Sequence, residues 1–192
     1  MKKILLSFTV LATAFLLQSF MMTTVSTEKN VGIKNSKVVW KAYKVAGSHE
    51  GTIDVKAGTL LFDGDKLKGG NFVIDMTTIA CTDLEGEYKG KLEGHLKSGD
   101  FFDIEKHNTA SLKMTKVKSS GKNSYKIKGD LSIKGITKSV QFEASVYGKK
   151  ATATLKVDRT DFNIKYGSGS FFDGLKDNMI YDEFDLVIDI EF

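Results

Sequence analysis

Residues 125–134 read Tyr-Lys-Ile-Lys-Gly-Asp-Leu-Ser-Ile-Lys, with an apolar or small residue at every odd position and a polar one at every even position. Successive side chains of a strand point to opposite faces, so a period of two describes a strand with one greasy and one wet face. The pattern continues downstream. Val140, Phe142, Ala144 and Val146 alternate with Gln141, Glu143, Ser145 and Tyr147, and a Gly148-Lys149 turn leads to Ala151, Ala153, Leu155 and Val157 against Thr152, Thr154, Lys156 and Asp158. Two such runs around a short glycine turn read as a hairpin. Phe184, Leu186, Ile188, Ile190 and Phe192 repeat the pattern at the C-terminus.

Upstream the alternation is weaker. Val38–Val45, which carries the only tryptophan, Trp40, reads as the first strand, starting at about Lys37. Thr52–Val55 and Gly58–Phe62 flank an Ala-Gly break, Asp63-Gly64-Asp65 is a turn, and Gly70–Met76 and Ser111–Val117 follow as strands. One segment departs from period two: Leu84, Tyr88, Leu92 and Leu96 recur every fourth residue, an amphipathic helical stripe ending near Ser98-Gly99. Gly90 and Gly94 weaken that helix by up to about 1 kcal/mol each, and the Phe101-Phe102 pair should pin it to the sheet.

About eight antiparallel strands with one helical excursion point to an all-β fold closed as a barrel, since closure removes exposed edges. An eight-stranded barrel is either filled by its own side chains or holds one small ligand. Inward-facing Ala144, Ala151, Ala153 and Gly129 would leave volume inside, or would merely fit the taper of a solid barrel. Periodicity alone leaves both open.

The ends and the composition set the context. Lys2 and Lys3 precede an apolar run, Ile4–Leu17, broken only by hydroxyl residues. It is shorter than the roughly 20 residues of a membrane span and matches a secretory h-region. Residues 1–26 therefore read as a signal peptide cut near Ser26, and residues 27–192 as one exported domain, periplasmic or secreted. An uncleaved anchor is the rival reading, because Phe20, Met21 and Met22 prolong the greasy stretch; no cysteine follows to take a lipid. The formal charge of +4 falls by two when Lys2 and Lys3 leave. With lysines and acids interspersed along the strands, no basic face for nucleic acid emerges. The chain has no proline and one cysteine, Cys81, so no internal disulfide can form and Cys81 reads as a small buried side chain.

Catalytic constellations are sparse. His49, His95 and His107 lack the spacing of a zinc site, and neither a nucleophile elbow nor a phosphate-binding glycine loop occurs. Gly167-Ser168-Gly169-Ser170 reads as a flexible loop, and the late acids, among them Asp161, Asp173, Asp177, Asp182, Glu183 and Asp185, lack the order of a calcium loop. Neither a catalytic residue, a metal site nor a cofactor is assigned. Arg159 is the single arginine among 28 basic residues. A guanidinium where lysine is the habit suggests fixed bidentate geometry, either capping carbonyls or a carboxylate in the wall, or meeting an anionic head group.

Three motifs, in order, resemble the YceI-like family: Gly94–Asp103 (GHLKSGDFFD), Gly129–Val140 (GDLSIKGITKSV) and Arg159–Ile164 (RTDFNI), the last followed by the strand Asp182–Ile188. The resemblance covers about Val38 to Glu191. It implies an eight-stranded antiparallel, lipocalin-like barrel with an inserted short helix, exported to the periplasm and binding a polyisoprenoid or other long-chain lipid inside. Departures occur at Ser139 and at His107-Asn108, where the family carries proline, and at Asn35-Ser36, where its aspartate and histidine are missing. The lining residues expected from the alternation are Trp40, Phe72, Ile74, Ile127, Val140, Phe142, Leu155, Phe184 and Ile188. The leading function is then a carrier or store for such a lipid, with transient membrane contact and no enzymatic activity. An enzyme acting on the lipid and a structural or stress-related protein with a filled barrel are the alternatives.

Overall fold

The computed structural model describes residues 26–30, 32 and 35–192; the expected leader lies, but for Ser26, outside the described residues. Nine strands and one α-helix follow in the order β1 (Thr27–Asn30), β2 (Lys37–Lys44), β3 (Gly47–Asp63), β4 (Lys66–Cys81), α1 (Gly86–Lys97), β5 (Thr109–Ser119), β6 (Ser124–Ile133), β7 (Ile136–Tyr147), β8 (Lys150–Asp158) and β9 (Ile180–Glu191). Every strand pair is antiparallel, and the order β3-β2-β9-β8-β7-β6-β5-β4 returns from β4 to β3. The fold is the expected closed eight-stranded barrel with one helix.

The register explains why the later strands were legible. Tyr125, Ile127 and Gly129 of β6 stand opposite Ala144, Phe142 and Val140 of β7, so the apolar positions of neighbouring strands share the inner face. β6 and β7 turn at Lys134-Gly135, where both residues have positive φ (51° and 75°). A two-residue hairpin turn of that kind matches the right-handed twist of its strands.

The early strands differ from the sequence reading. Thr52–Val55 and Gly58–Phe62 belong to one 17-residue strand, β3. Lys56 is an extra residue between the pairs Val55↔Ile74 and Ala57↔Val73, and such a bulge bends a strand while breaking its alternation. A larger irregularity lies opposite, where Thr52 pairs with Ala80 but Asp54 with Asp75. Asp75 stabilises it by accepting from the Thr77 amide and hydroxyl at 3.1 and 2.6 Å. Because β3 outruns the eight-residue β2, its edge at Thr59–Phe62 is free to pair with β1. The chain thus enters the sheet ten residues before Lys37; the polar Thr-Glu-Lys-Asn stretch carries no alternation to reveal this.

α1 confirms the excursion but not its stripe. Leu96 is buried, Leu92 is half-buried and Tyr88 is exposed. The Phe102 amide donates to the Leu96 carbonyl and the Ile104 amide to that of Lys97, both at 3.1 Å. These bonds fold the chain after α1 back across one end of the barrel. The Arg159–Phe162 turn and the segment leading to β9 close the rest of that end.

Candidate ligand cavity

The barrel is hollow. A cavity of about 180 Å³ runs through its interior and is bordered almost entirely by carbon. Every barrel strand contributes, and Leu96, Phe101, Phe102 and Ile164 close it at the α1 end. Of the nine expected lining residues, Trp40, Phe72, Ile74, Phe142, Leu155, Phe184 and Ile188 border the cavity. Ile127 and Val140 do not: Ile127 is packed into the apolar cluster, and Val140 is a half-buried side chain opposite Gly129. Gly129 leaves no room either. A Cβ there would stand 3.0 Å from Leu112 Cδ1, so the Leu112 side chain already fills the notch.

Open space comes instead from the alanines. Ala144, Ala151 and Ala153 all border the cavity, as do Ala42 and Ala110. Residues that the alternation did not single out also line it, including Ile53, Leu60, Met76, Met114, Phe101 and Phe102. The bulges in β3 and β4 hid several of these, and the two phenylalanines lie outside any strand.

Trp40 sits mid-wall. Gly51 faces it across the β2–β3 pair, and the indole lies flat against that glycine: a Cβ on Gly51 would approach Trp40 Cζ2 to 2.6 Å and the Ala80 carbonyl oxygen to 1.8 Å. The Nε1 of Trp40 is buried without a hydrogen-bond partner, a polar group that costs stability in a dry wall.

Arg159 borders the cavity at the α1 end, and its donors are spent on the backbone. Nε donates to the Tyr181 carbonyl at 3.1 Å, Nη1 to that of Ile164 at 2.8 Å and Nη2 to that of Ile180 at 3.0 Å, with Asp182 Oδ1 at 3.4 Å. Burial lowers its pKa, while Asp182 and Asp158 act against that; a guanidinium remains charged regardless. Of the two roles open from sequence, the structure shows the wall clamp. The Gly167–Ser170 segment is also firmly placed: Ser168 is fully buried and bridges Ile180.

The histidines are scattered. His49 Nδ1 lies 2.9 Å from Asp83 Oδ2, and the Cys81 thiol donates to Asp83 Oδ1 at 3.0 Å. Burial and the Asp83 hydrogen bond push the Cys81 thiol up, the opposite of an activated nucleophile. His95 packs edge-on to Phe101 and Tyr166, with ring centroids 4.8 and 4.4 Å away, and His107 abuts the Gly135 turn. Among the described residues no group of three or more His, Cys, Asp and Glu side chains could hold a metal ion.

A family model described as the YceI-like domain matches residues 24–192. The chain belongs to the YceI-like family. Among curated YceI-like relatives, a UPF0312 protein of Pseudomonas putida strain W619 is 30% identical over 141 residues, spanning 67% of this chain and 70% of its own. A UPF0312 protein of Vibrio parahaemolyticus is 29% identical over 137 residues, 65% of this chain and 69% of its own. Solved structures share the fold. BcnA of Burkholderia cenocepacia superposes with a TM-score of 0.63 at 23% identity, covering 83% of this chain and 98% of that one. A polyisoprenoid-binding domain from Saccharophagus degradans gives 0.59 at 14% identity, covering 84% and 97%. At these identities the YceI-like barrels establish architecture only.

Proposed function

We propose that this protein is a carrier that holds the apolar chain of a polyisoprenoid or similar long-chain amphiphile inside its barrel. The single observation that carries this reading is the carbon-lined cavity of about 180 Å³. The Saccharophagus neighbour described as polyisoprenoid-binding supports it.

Magnitudes set the ligand class. Ten buried CH₂ groups offer about 8 kcal/mol, and association costs roughly 4–15 kcal/mol in lost freedom. Useful affinity in a carbon wall, where the Trp40 indole N–H is the one buried side-chain donor left unpartnered among the described residues, therefore needs a chain longer than ten carbons. An engineered apolar cavity of about 150 Å³ binds benzene, so a longer chain needs more space than the ligand-free barrel offers. Met76 and Met114, unbranched and adaptable, and the rim residues Phe101 and Phe102 are the lining groups able to yield it. No polar cluster faces the cavity to perform chemistry on such a ligand: Arg159 is spent on carbonyls and the Cys81 thiol on Asp83. A binding role fits this wall better than an enzymatic one.

Export is part of the same proposal. A soluble carrier is useful where greasy molecules cross water between membranes, and residues 1–26 have the pattern of a signal peptide. Mass spectrometry of the protein purified from the envelope tests both halves. We expect a mature N-terminus near Ser26 and a co-extracted long-chain amphiphile at close to one per protein. Repeated extracts that contain no such molecule would overturn the carrier reading.

A further inference from the structure

The α1 end of the barrel shows several large apolar side chains to water. Tyr166, Phe171, Phe172 and Tyr181 are all 47–51% exposed; the first three lie in the segment that closes the α1 end, and Tyr181 lies at the start of β9. Val45 is similarly exposed and is tied to the same segment, its amide donating to the Met179 carbonyl at 3.1 Å. Exposed apolar patches of this kind mark interaction sites.

The segment holds its rings out on a fixed base. Ser168 is buried beneath it, the amides of Phe171 and Phe172 donate to the Ser168 carbonyl at 3.2 and 3.0 Å, and Ser170 Oγ donates to Asp182 Oδ2 at 2.6 Å. Gly169 lies so close to Met179 that a Cβ would come within 2.5 Å of its sulfur. Tyr181 and Ile180 also border the cavity, so Tyr181 belongs both to the exposed rim and to the cavity wall.

Building on the carrier reading, we propose that this rim docks on a lipid bilayer. Phe171 and Phe172 enter the boundary between head groups and acyl chains, and the ligand passes between bilayer and cavity without crossing open water. Lys165 Nζ lies over the Phe171 ring, 4.5 Å from its centroid, a cation–π contact that keeps an ammonium at the ring, where head-group phosphates would meet it while its stem stays along the apolar surface. Lys165 and Lys176 are balanced by Asp173 and Asp177 on the same segment, so the apolar rings carry the attachment. Area argues against a second copy of this chain as the occupant. Half of an aromatic side chain is roughly 100 Å², and four such rings supply about half of the ~800 Å² per partner of a standard protein interface.

Flotation with vesicles of phosphatidylcholine, and of equimolar phosphatidylcholine and phosphatidylglycerol, tests the docking. Wild-type protein should float with both. The double variant Phe171→Ser/Phe172→Ser should partition at least tenfold more weakly, with its thermal unfolding and its binding of dispersed farnesol (read by Trp40 fluorescence) unchanged. The docking proposal falls if wild-type protein binds farnesol but no vesicle, if the double variant floats like wild type, or if the substitutions instead dissolve a dimer seen in sedimentation. Flotation without farnesol binding would leave the docking standing and overturn the carrier reading, so the two fail separately.

Discussion

Ala153 offers a way to weigh the empty space. It stands between Ala144 and Ile188 in a cross-strand row, and all three border the cavity. At about 24 cal/mol per Å³ of unfilled volume, a cavity of about 180 Å³ withholds about 4 kcal/mol of packing from the ligand-free protein. Ala153→Leu adds three carbons on that wall, and at about 0.8 kcal/mol each they return about 2 kcal/mol if the side chain enters the void in an ordinary rotamer. The same carbons occupy the space of the ligand. Urea unfolding of delipidated protein should therefore show a higher midpoint at unchanged slope, corresponding to about 2 kcal/mol, while farnesol titrated against Trp40 fluorescence binds at least tenfold more weakly. Stability and binding move in opposite directions only if the barrel is hollow there. In a filled core the leucine would overpack and cost roughly 1–3 kcal/mol; that loss, with farnesol binding unaltered, would mean the barrel is not hollow at Ala153. Val187→Ala, on the exposed outer face of β9, serves as the control and should leave both quantities where they are.

Three further substitutions probe the wall and its fastenings. Burial would raise the Asp83 carboxyl, but donation from Cys81, His49 and the Glu50 amide outweighs it and holds the pKa at about 2. A folded value below the unfolded one, near 3.9, means stability that is present above about pH 4 and lost as pH falls towards 2; Asp83→Asn should cost about 2 kcal/mol near neutrality, with the gap to wild type closing in acid urea melts. An equal gap at about pH 2.5 and about pH 7 contradicts this assignment. Arg159→Lys replaces a fork serving three carbonyls by a point charge and should destabilise by at least about 3 kcal/mol; a loss below about 1 kcal/mol in the same melts means the clamp is dispensable. Gly51→Ala drives a methyl into the Ala80 carbonyl and the Trp40 ring, so it should cost about 3 kcal/mol or more and shift Trp40 emission to the red, whereas an unaltered spectrum would mean the indole does not rest on that glycine.

The readable part of the fold was the part with unbroken alternation. β6 to β9 carry regular inward and outward positions, with two-residue turns between β6 and β7 and between β7 and β8, and the apolar residues of the alternation fall on the inner face as the pattern dictates. β3 and β4 are harder to read because the extra Lys56 and the Asp75–Ala80 irregularity shift the phase partway along each strand. β1 has no apolar face, since it pairs by backbone along an edge that the longer β3 leaves open. For the cavity, alternation identifies which side chains point inward but not whether a neighbour fills the space. Gly129 and Ala153 look equally roomy in sequence, yet Leu112 fills the first notch while the second stays open. The roles of Arg159 and of the Gly167–Ser170 segment depend on chain segments brought together by barrel closure, which no local pattern encodes.

A carrier of this kind holds an apolar chain inside its barrel. Isotope-filtered NMR of the protein saturated with a uniformly labelled prenyl alcohol tests it most directly. Ligand contacts to Trp40, Phe72, Phe142, Leu155 and the methyl of Ala153 are expected, together with a shifted resonance for the single indole N–H. Contacts confined to outward-facing residues such as Val187 and Tyr147, with that resonance unmoved, would contradict it.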